Sequence, residues 1–161
     1  MHARAEQLVA ILGLQPHPEG GRFAEVYRST SSVQPLDDRD RRAALTTIYF
    51  LLVAGEVSRW HRVRSDEVWH FYEGDPIELS IADESFTAVV PHRLGPVADD
   101  AMPVRVVPAG AWQAARTTGE YTLVGCTVAP GFEYADFQLL RDASALGHHA
   151  RLEQPDVARL R

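Results

Sequence analysis

The stretch 55–75, GEVSRWHRVRSDEVWHFYEGD, decides the reading of the fold. It places His61, Asp66, Glu67 and His70 between Gly55 and Gly74. Imidazoles and carboxylates this close together are metal-ligand chemistry. The backbone pattern argues for caution. VSRWHRV and EVWHFYEG are short, rich in β-branched and aromatic residues, and bounded by turn residues, so both read as strands. On a strand, Glu67, Trp69 and Phe71 share one face, and Val68, His70 and Tyr72 share the other. If Glu67 faces a barrel interior, His70 does not. Asp66 reads as a turn cap.

The same signals extend outward in both directions. RFAEVYRS, LTTIYFLLVAG, IELSIAD, SFTAVV, VRVVP, WQAARTT, YTLVGCTV and ADFQLLR are further candidate strands. Turn residues separate them at 74–76, 83–85, 108–110 and 118–120. Regularly spaced short strands mean an all-β sandwich or barrel. ARAEQLVAILG predicts a short amphipathic helix, with Leu8, Val9, Ile11 and Leu12 on one side and Gly13 as its stop. LQPHPEGG is a loop. VQPLDDRDRRAA reads as a solvated, charged linker, His92 as a loop residue, and QPDVARLR as a minor C-terminal helical segment. His148 and His149 read as exposed. No repeat or low-complexity segment interrupts the pattern.

The chain has 161 residues, which predicts one domain spanning 1–161. Hydrophobic residues make up 45% and charged residues 24%, enough to bury a core. A net charge of −6 argues against nucleic acid as a partner. All 16 basic residues are arginine. Without lysine, Schiff-base and P-loop chemistry are excluded. The lone cysteine, Cys126, sits in an apolar run and is expected to be buried or pocket-facing rather than reactive. No signal peptide and no apolar stretch long enough to span a membrane is recognised, so the expectation is a cytoplasmic protein with no membrane partner.

Two segments carry a family resemblance. Gly55, His61, Glu67 and Gly74 match the spacing of the first cupin signature, with Val63 in place of its second histidine. VVPAGAWQAAR matches the second signature at Pro108 and Gly110, with Gln113 in place of the histidine. Taken with LQPHPEGGRFAEVYRS and YTLVGCTVAPGFEYADFQL, the chain from about residue 6 to 147 resembles the DUF985, or cupin-5, family. The resemblance implies a double-stranded β-helix, a jelly-roll barrel that is usually a homodimer. It implies no settled activity.

Metal-bearing cupins hold a divalent ion with the positions that are His61, Val63, Glu67 and Gln113 in this chain. Valine cannot ligate and a glutamine carbonyl is a weak donor. No cofactor is expected, and His61, Glu67 and Gln113 are only weak metal candidates. The expected inward set is Glu25, Tyr27, Trp69, Trp112, Gln113, Phe132 and Tyr134 with His61 and Glu67. Glu19 could reach the same space from the HPEGG loop. Aromatic walls with a few hydrogen-bonding tips suit a sugar-like or other small polar ring. Metal-independent epimerase or isomerase chemistry would use His61 as general base, Glu67 or Glu25 to orient it, and Tyr27 or Tyr134 as proton donor. A non-catalytic binding module and a metal-dependent enzyme with an incomplete ligand set are the alternatives.

Overall fold

In the computed structural model, which describes residues 2–143, side-chain alternation sorts the strands into two facing antiparallel sheets. The strands are β1 (Gln15–Pro16), β2 (Arg22–Arg28), β3 (Ser32–Val33), β4 (Arg42–Ala43), β5 (Thr46–Val53), β6 (Ser58–Val63) and β7 (Asp66–Gly74). They continue with β8 (Ile77–Ala82), β9 (Val89–Leu94), β10 (Val104–Val107), β11 (Trp112–Thr117), β12 (Tyr121–Ala129) and β13 (Phe137–Leu139). The six-stranded sheet runs β1-β2-β5-β12-β7-β10 and the five-stranded sheet runs β13-β6-β11-β8-β9. This is the expected double-stranded β-helix.

The unbroken apolar run of β5 follows from burial on both faces. Phe50 and Leu52 point into the barrel, against Trp69, Leu79 and Val124. Leu51 and Val53 point outward beneath helix α1 (Ala3–Leu12), where Ala5 and Leu8 cover them. Gly13 ends the helix in the left-handed conformation, and its N–H bonds the Val9 carbonyl. Ile11 does not join the buried stripe; it is 72% exposed. β11 works the same way on the other sheet: Gln113 and Ala115 face in, while Trp112 and Ala114 face out.

Three expectations are corrected. The strand read at SFTAVV lies later, at β9, because Asp83 accepts from Thr87 and caps a turn over those residues. His92 is therefore a strand residue. The charged linker is more than a solvated loop. Arg39 is buried, Arg42 donates twice to Asp136 at 2.8 and 3.0 Å, and β3 pairs with β4 within it. The expected C-terminal helical segment, with His148 and His149, lies outside the described residues. Among the described residues, no helix is long and apolar enough to cross a membrane.

The HPEGG loop folds because its two glycines take conformations closed to other residues. Gly20 has φ +112°, and a Cβ there would stand 2.1 Å from the Val57 carbonyl oxygen. Gly21 has φ +68° and lies against the Leu51 carbonyl. The loop is thereby pressed onto β5 and the start of β6, and the Glu19 carbonyl accepts the Arg59 N–H at 2.8 Å. Gly20→Ala should cost at least about 2 kcal/mol, read by urea unfolding, because strain and a backbone clash add. Gly13→Ala, where φ is +64° but nothing lies within 4 Å, should cost about 1 kcal/mol. Equal losses would show that backbone angle alone, and not close approach, sets the cost.

Candidate functional site

The pinned loop carries the Glu19 side chain into the barrel, where it is 6% exposed. Ser58 donates to its Oε1 at 2.8 Å. Its Oε2 lies 3.1 Å from Nε2 of His61, itself 2% exposed. The other ring nitrogen, Nδ1, is 2.7 Å from the Arg59 carbonyl oxygen. A carbonyl only accepts, so Nδ1 carries hydrogen. In the neutral ring Nε2 is then an acceptor, and the shared proton belongs to Glu19. Burial pushes in the same direction for both groups. It raises the Glu19 carboxyl to about 7, offset in part by His17 and Ser58. It lowers His61, offset in part by the Glu67 carboxylate and the Arg59 carbonyl.

A second buried carboxyl lies nearby. Trp69 Nε1 can only donate, and it reaches Gln113 Oε1 at 2.9 Å. That contact turns the Gln113 amide nitrogen toward Glu67, where it donates to Oε2 at 2.5 Å. Burial raises Glu67; His61 pulls it down and Glu19 pushes it up. Cys126 lies against Glu67, and burial with both carboxylates pushes its thiol well up. A protonated thiol is a poor nucleophile, in line with the expectation for Cys126.

These groups border a cavity of about 130 Å³. Glu19, Glu67, Cys126 and His17 line its inner part. Phe23, Ile48, Phe50, Val63 and Val128 form walls. At the mouth stand Phe132, Tyr134 and Phe137, together with Arg28 between Glu25 and Glu133.

Some expected site residues are brought together and others are not. Glu19, Glu25, Glu67, Phe132 and Tyr134 line the cavity, with Tyr134 more than half exposed at its rim. Tyr27 does not. The pairing of β2 with β5 slips between Glu25 and Tyr27, so one residue is looped out and the alternation reverses. Tyr27 turns outward and is 51% exposed, while Arg28 takes the inward place. Trp112 is also outside. It packs with Trp60 and Phe86 on the outer face of the five-stranded sheet, under the Arg62 guanidinium at 4.7 Å. Trp69 and Gln113 lie beneath the cavity floor, and His61 stands behind Glu19 and Phe137. The sequence reading missed Arg28, Glu133 and Phe137. No residue pattern marks the β2 bulge that delivers Arg28. Phe137 lies in a predicted strand, but nothing there says which face is inward.

The positions that would bind metal do not fit one. Val63 has no donor atom, His61 has both nitrogens engaged, and both ends of the Gln113 amide are held. Among the described residues, no three His, Cys, Asp or Glu side chains are arranged to hold an ion.

Known proteins match this arrangement of strands. A family model described as "Cupin superfamily (DUF985)" matches residues 6–140. A hypothetical protein from Leishmania major is 31% identical over 97% of both chains, with a TM-score of 0.86. A crystal structure from Shewanella oneidensis is also 31% identical, covering 97% of this chain and 96% of that one, with a TM-score of 0.80. Oxalate decarboxylase from Bacillus subtilis, at 15% identity and TM-score 0.60, covers 91% of this chain with 36% of its own and shares the fold. No curated protein matches the chain.

The raised Glu19 carboxyl has a consequence for stability. The folded state binds more protons than the unfolded one between about 4.5 and 7, so this group's contribution falls as pH rises through that window. Glu19→Gln keeps a donor for His61 and an acceptor for Ser58 but cannot ionise. The variant should match the wild type near the acid end and exceed it by up to about 3 kcal/mol above neutrality. Parallel denaturant titrations across pH check this. A wild type that gains on the variant as pH rises would contradict the assignment.

Proposed function

This chain belongs to the DUF985 family of the cupin superfamily, and from that frame we propose that its barrel binds a small organic molecule and moves a proton on it without a metal. The ligand class is a small polar ring or sugar-like compound. The observation that carries the reading is the buried Glu19–His61 pair, 3.1 Å apart, with Glu19 facing the cavity and His61 behind it. The roles expected of His61 and Glu67 are thereby redistributed. Glu19 is the acid–base group, because it lines the cavity and its carboxyl titrates near neutrality. His61 is a positioning residue that fixes where the Glu19 proton sits. Glu67 binds ligand at the same inner end of the cavity, and Tyr134 closes the rim.

As a carboxylate, Glu19 would take a proton from a carbon beside a carbonyl, leaving an enediolate, and return that proton to carbon from its acid form. Dihydroxyacetone and glyceraldehyde in deuterated water are suitable probes. Wild-type protein should incorporate deuterium at that carbon, and Glu19→Gln should lose about 100-fold or more of the rate. His61→Gln should shift the pH profile as well as lower the rate. Exchange that survives Glu19→Gln would refute the assignment. Thermal stabilisation without exchange, abolished by the cavity-filling Val128→Phe, would make the protein a binder without chemistry.

The homodimer belongs to the same proposal. The outward positions Thr47, Tyr49, Val68, His70, Tyr72, Val104, Val106 and Thr127 present no carboxylate and no guanidinium, and Tyr72, Val104 and Val106 are exposed. A second copy laid on this face by a two-fold axis meets no like charges. Sedimentation equilibrium should report a dimer, and Val106→Glu should convert it to a folded monomer.

A further inference from the structure

The cavity's charge and its aromatic mouth point to a ligand class other than a neutral sugar-like ring, resting only on the reading that the cavity binds a small molecule. Four carboxyl groups line it, from Glu19, Glu25, Glu67 and Glu133, against one guanidinium, Arg28, and one imidazole, His17, which burial holds toward its neutral form. All three Arg28 nitrogens are engaged. Nε and Nη2 donate to Glu25 at 3.0 and 2.8 Å, Nη1 donates to Glu133 at 2.8 Å, and Nη2 also reaches the Phe132 carbonyl at 3.2 Å. An anion therefore finds no free positive partner in the cavity. Glu67 is more than nine-tenths buried and faces the cavity, and among the described residues its Oε1 accepts no N–H or O–H. The mouth is built from three steeply inclined rings. Phe132 and Tyr134 lie 5.1 Å apart at 81°, Phe132 and Phe137 6.1 Å apart at 67°, and Tyr134 and Phe137 6.3 Å apart at 80°. Rings set this way form the corner of a box, which receives a flat apolar body by edge-to-face and stacked contact.

We propose that the cavity takes a small protonated amine with a flat apolar body, its ammonium hydrogens meeting Glu67 and its body lodged in the corner of Phe132, Tyr134 and Phe137. A charge-assisted hydrogen bond to a carboxylate is about twice as strong as a neutral one, so a cation outcompetes a neutral molecule of the same shape. An arriving ammonium favours the ionised form of the carboxyl that receives it. Glu67 is held toward its protonated form by burial and by Glu19, against His61, Gln113 and the Cys126 thiol.

Benzylamine, benzyl alcohol and benzoate keep one shape while the charge runs from positive through neutral to negative. Calorimetry near neutral pH should show benzylamine binding at least about tenfold tighter than benzyl alcohol, and benzoate weakest. Glu67→Gln should erase the preference for the amine while benzyl alcohol still binds. Glu133→Gln, at the exposed rim, should reduce the preference if Glu67→Gln fails to fold. Benzyl alcohol binding as tightly as the amine, or benzoate binding best, would overturn the amine assignment and leave a small-molecule cavity standing. If none of the three binds in a way that Val128→Phe abolishes, both the amine and the cavity reading fall.

Discussion

The structure turns on a carboxyl group held inside a barrel. Burying Glu19 would cost several kcal/mol if it stayed ionised and unpartnered. Three features remove that cost. Ser58 supplies a donor, His61 supplies an acceptor for the acid proton, and the site lets the carboxyl titrate near 7 instead of 4.5. Each feature constrains the chain around it. His61 can accept only because the Arg59 carbonyl holds its other nitrogen as N–H. Glu19 reaches His61 only because Gly20 lets the loop touch Val57. The Glu19 carbonyl, in turn, extends the hydrogen bonding of β6 at Arg59. A carboxyl at position 19 and a histidine at 61 thus account for the loop, its glycines and the start of β6 together.

Much of this was legible in the sequence, for identifiable reasons. Period-two alternation placed Glu67 and Trp69 on one face and His70 on the other, and the barrel keeps that division. The substitutions at Val63 and Gln113 were visible as departures from the cupin signatures. Gly13 marked a helix end because a left-handed terminus favours glycine. What failed depended on longer-range geometry. The slip between Glu25 and Tyr27 leaves no local mark, so Tyr27 was placed inside and Arg28 overlooked. Trp112, by contrast, sits next to an inward Gln113, so alternation already assigns it to the outer face, and an inward place for both residues conflicts with that. An aromatic residue at a barrel position is equally at home on an outer face that another layer covers.

The charged linker between β2 and β5 shows a related limit. DDRDRR reads as solvent-facing because six charged residues in succession seldom bury. Arg39 is buried and Arg42 half-buried all the same, because Asp136 meets them from almost a hundred residues further along the chain. Arg42 meets both Asp136 oxygens, and Arg39 reaches one at 3.5 Å while donating to Ser65. Removing one partner of such a buried set leaves the others uncompensated, which is why clusters of this kind hold geometry firmly. What they hold here is the segment 132–137, whose rings shape the cavity mouth. The linker therefore acts on the site through its charges.

The two departures from the cupin signatures act in one direction. A divalent ion at this position would keep adjoining carboxyls ionised, since its charge opposes their protonation. Val63 and Gln113 withdraw the ligands such an ion needs. In place of the ion, Glu67 receives one amide donor, itself oriented by Trp69, while burial and Glu19 favour its acid form. One carboxylate next to another resists ionising. The same low-dielectric walls that would strengthen metal coordination instead raise both carboxyl groups, Glu19 to about 7. The opening stretch keeps its cupin frame, and His61, where a ligand would stand, governs a proton on Glu19.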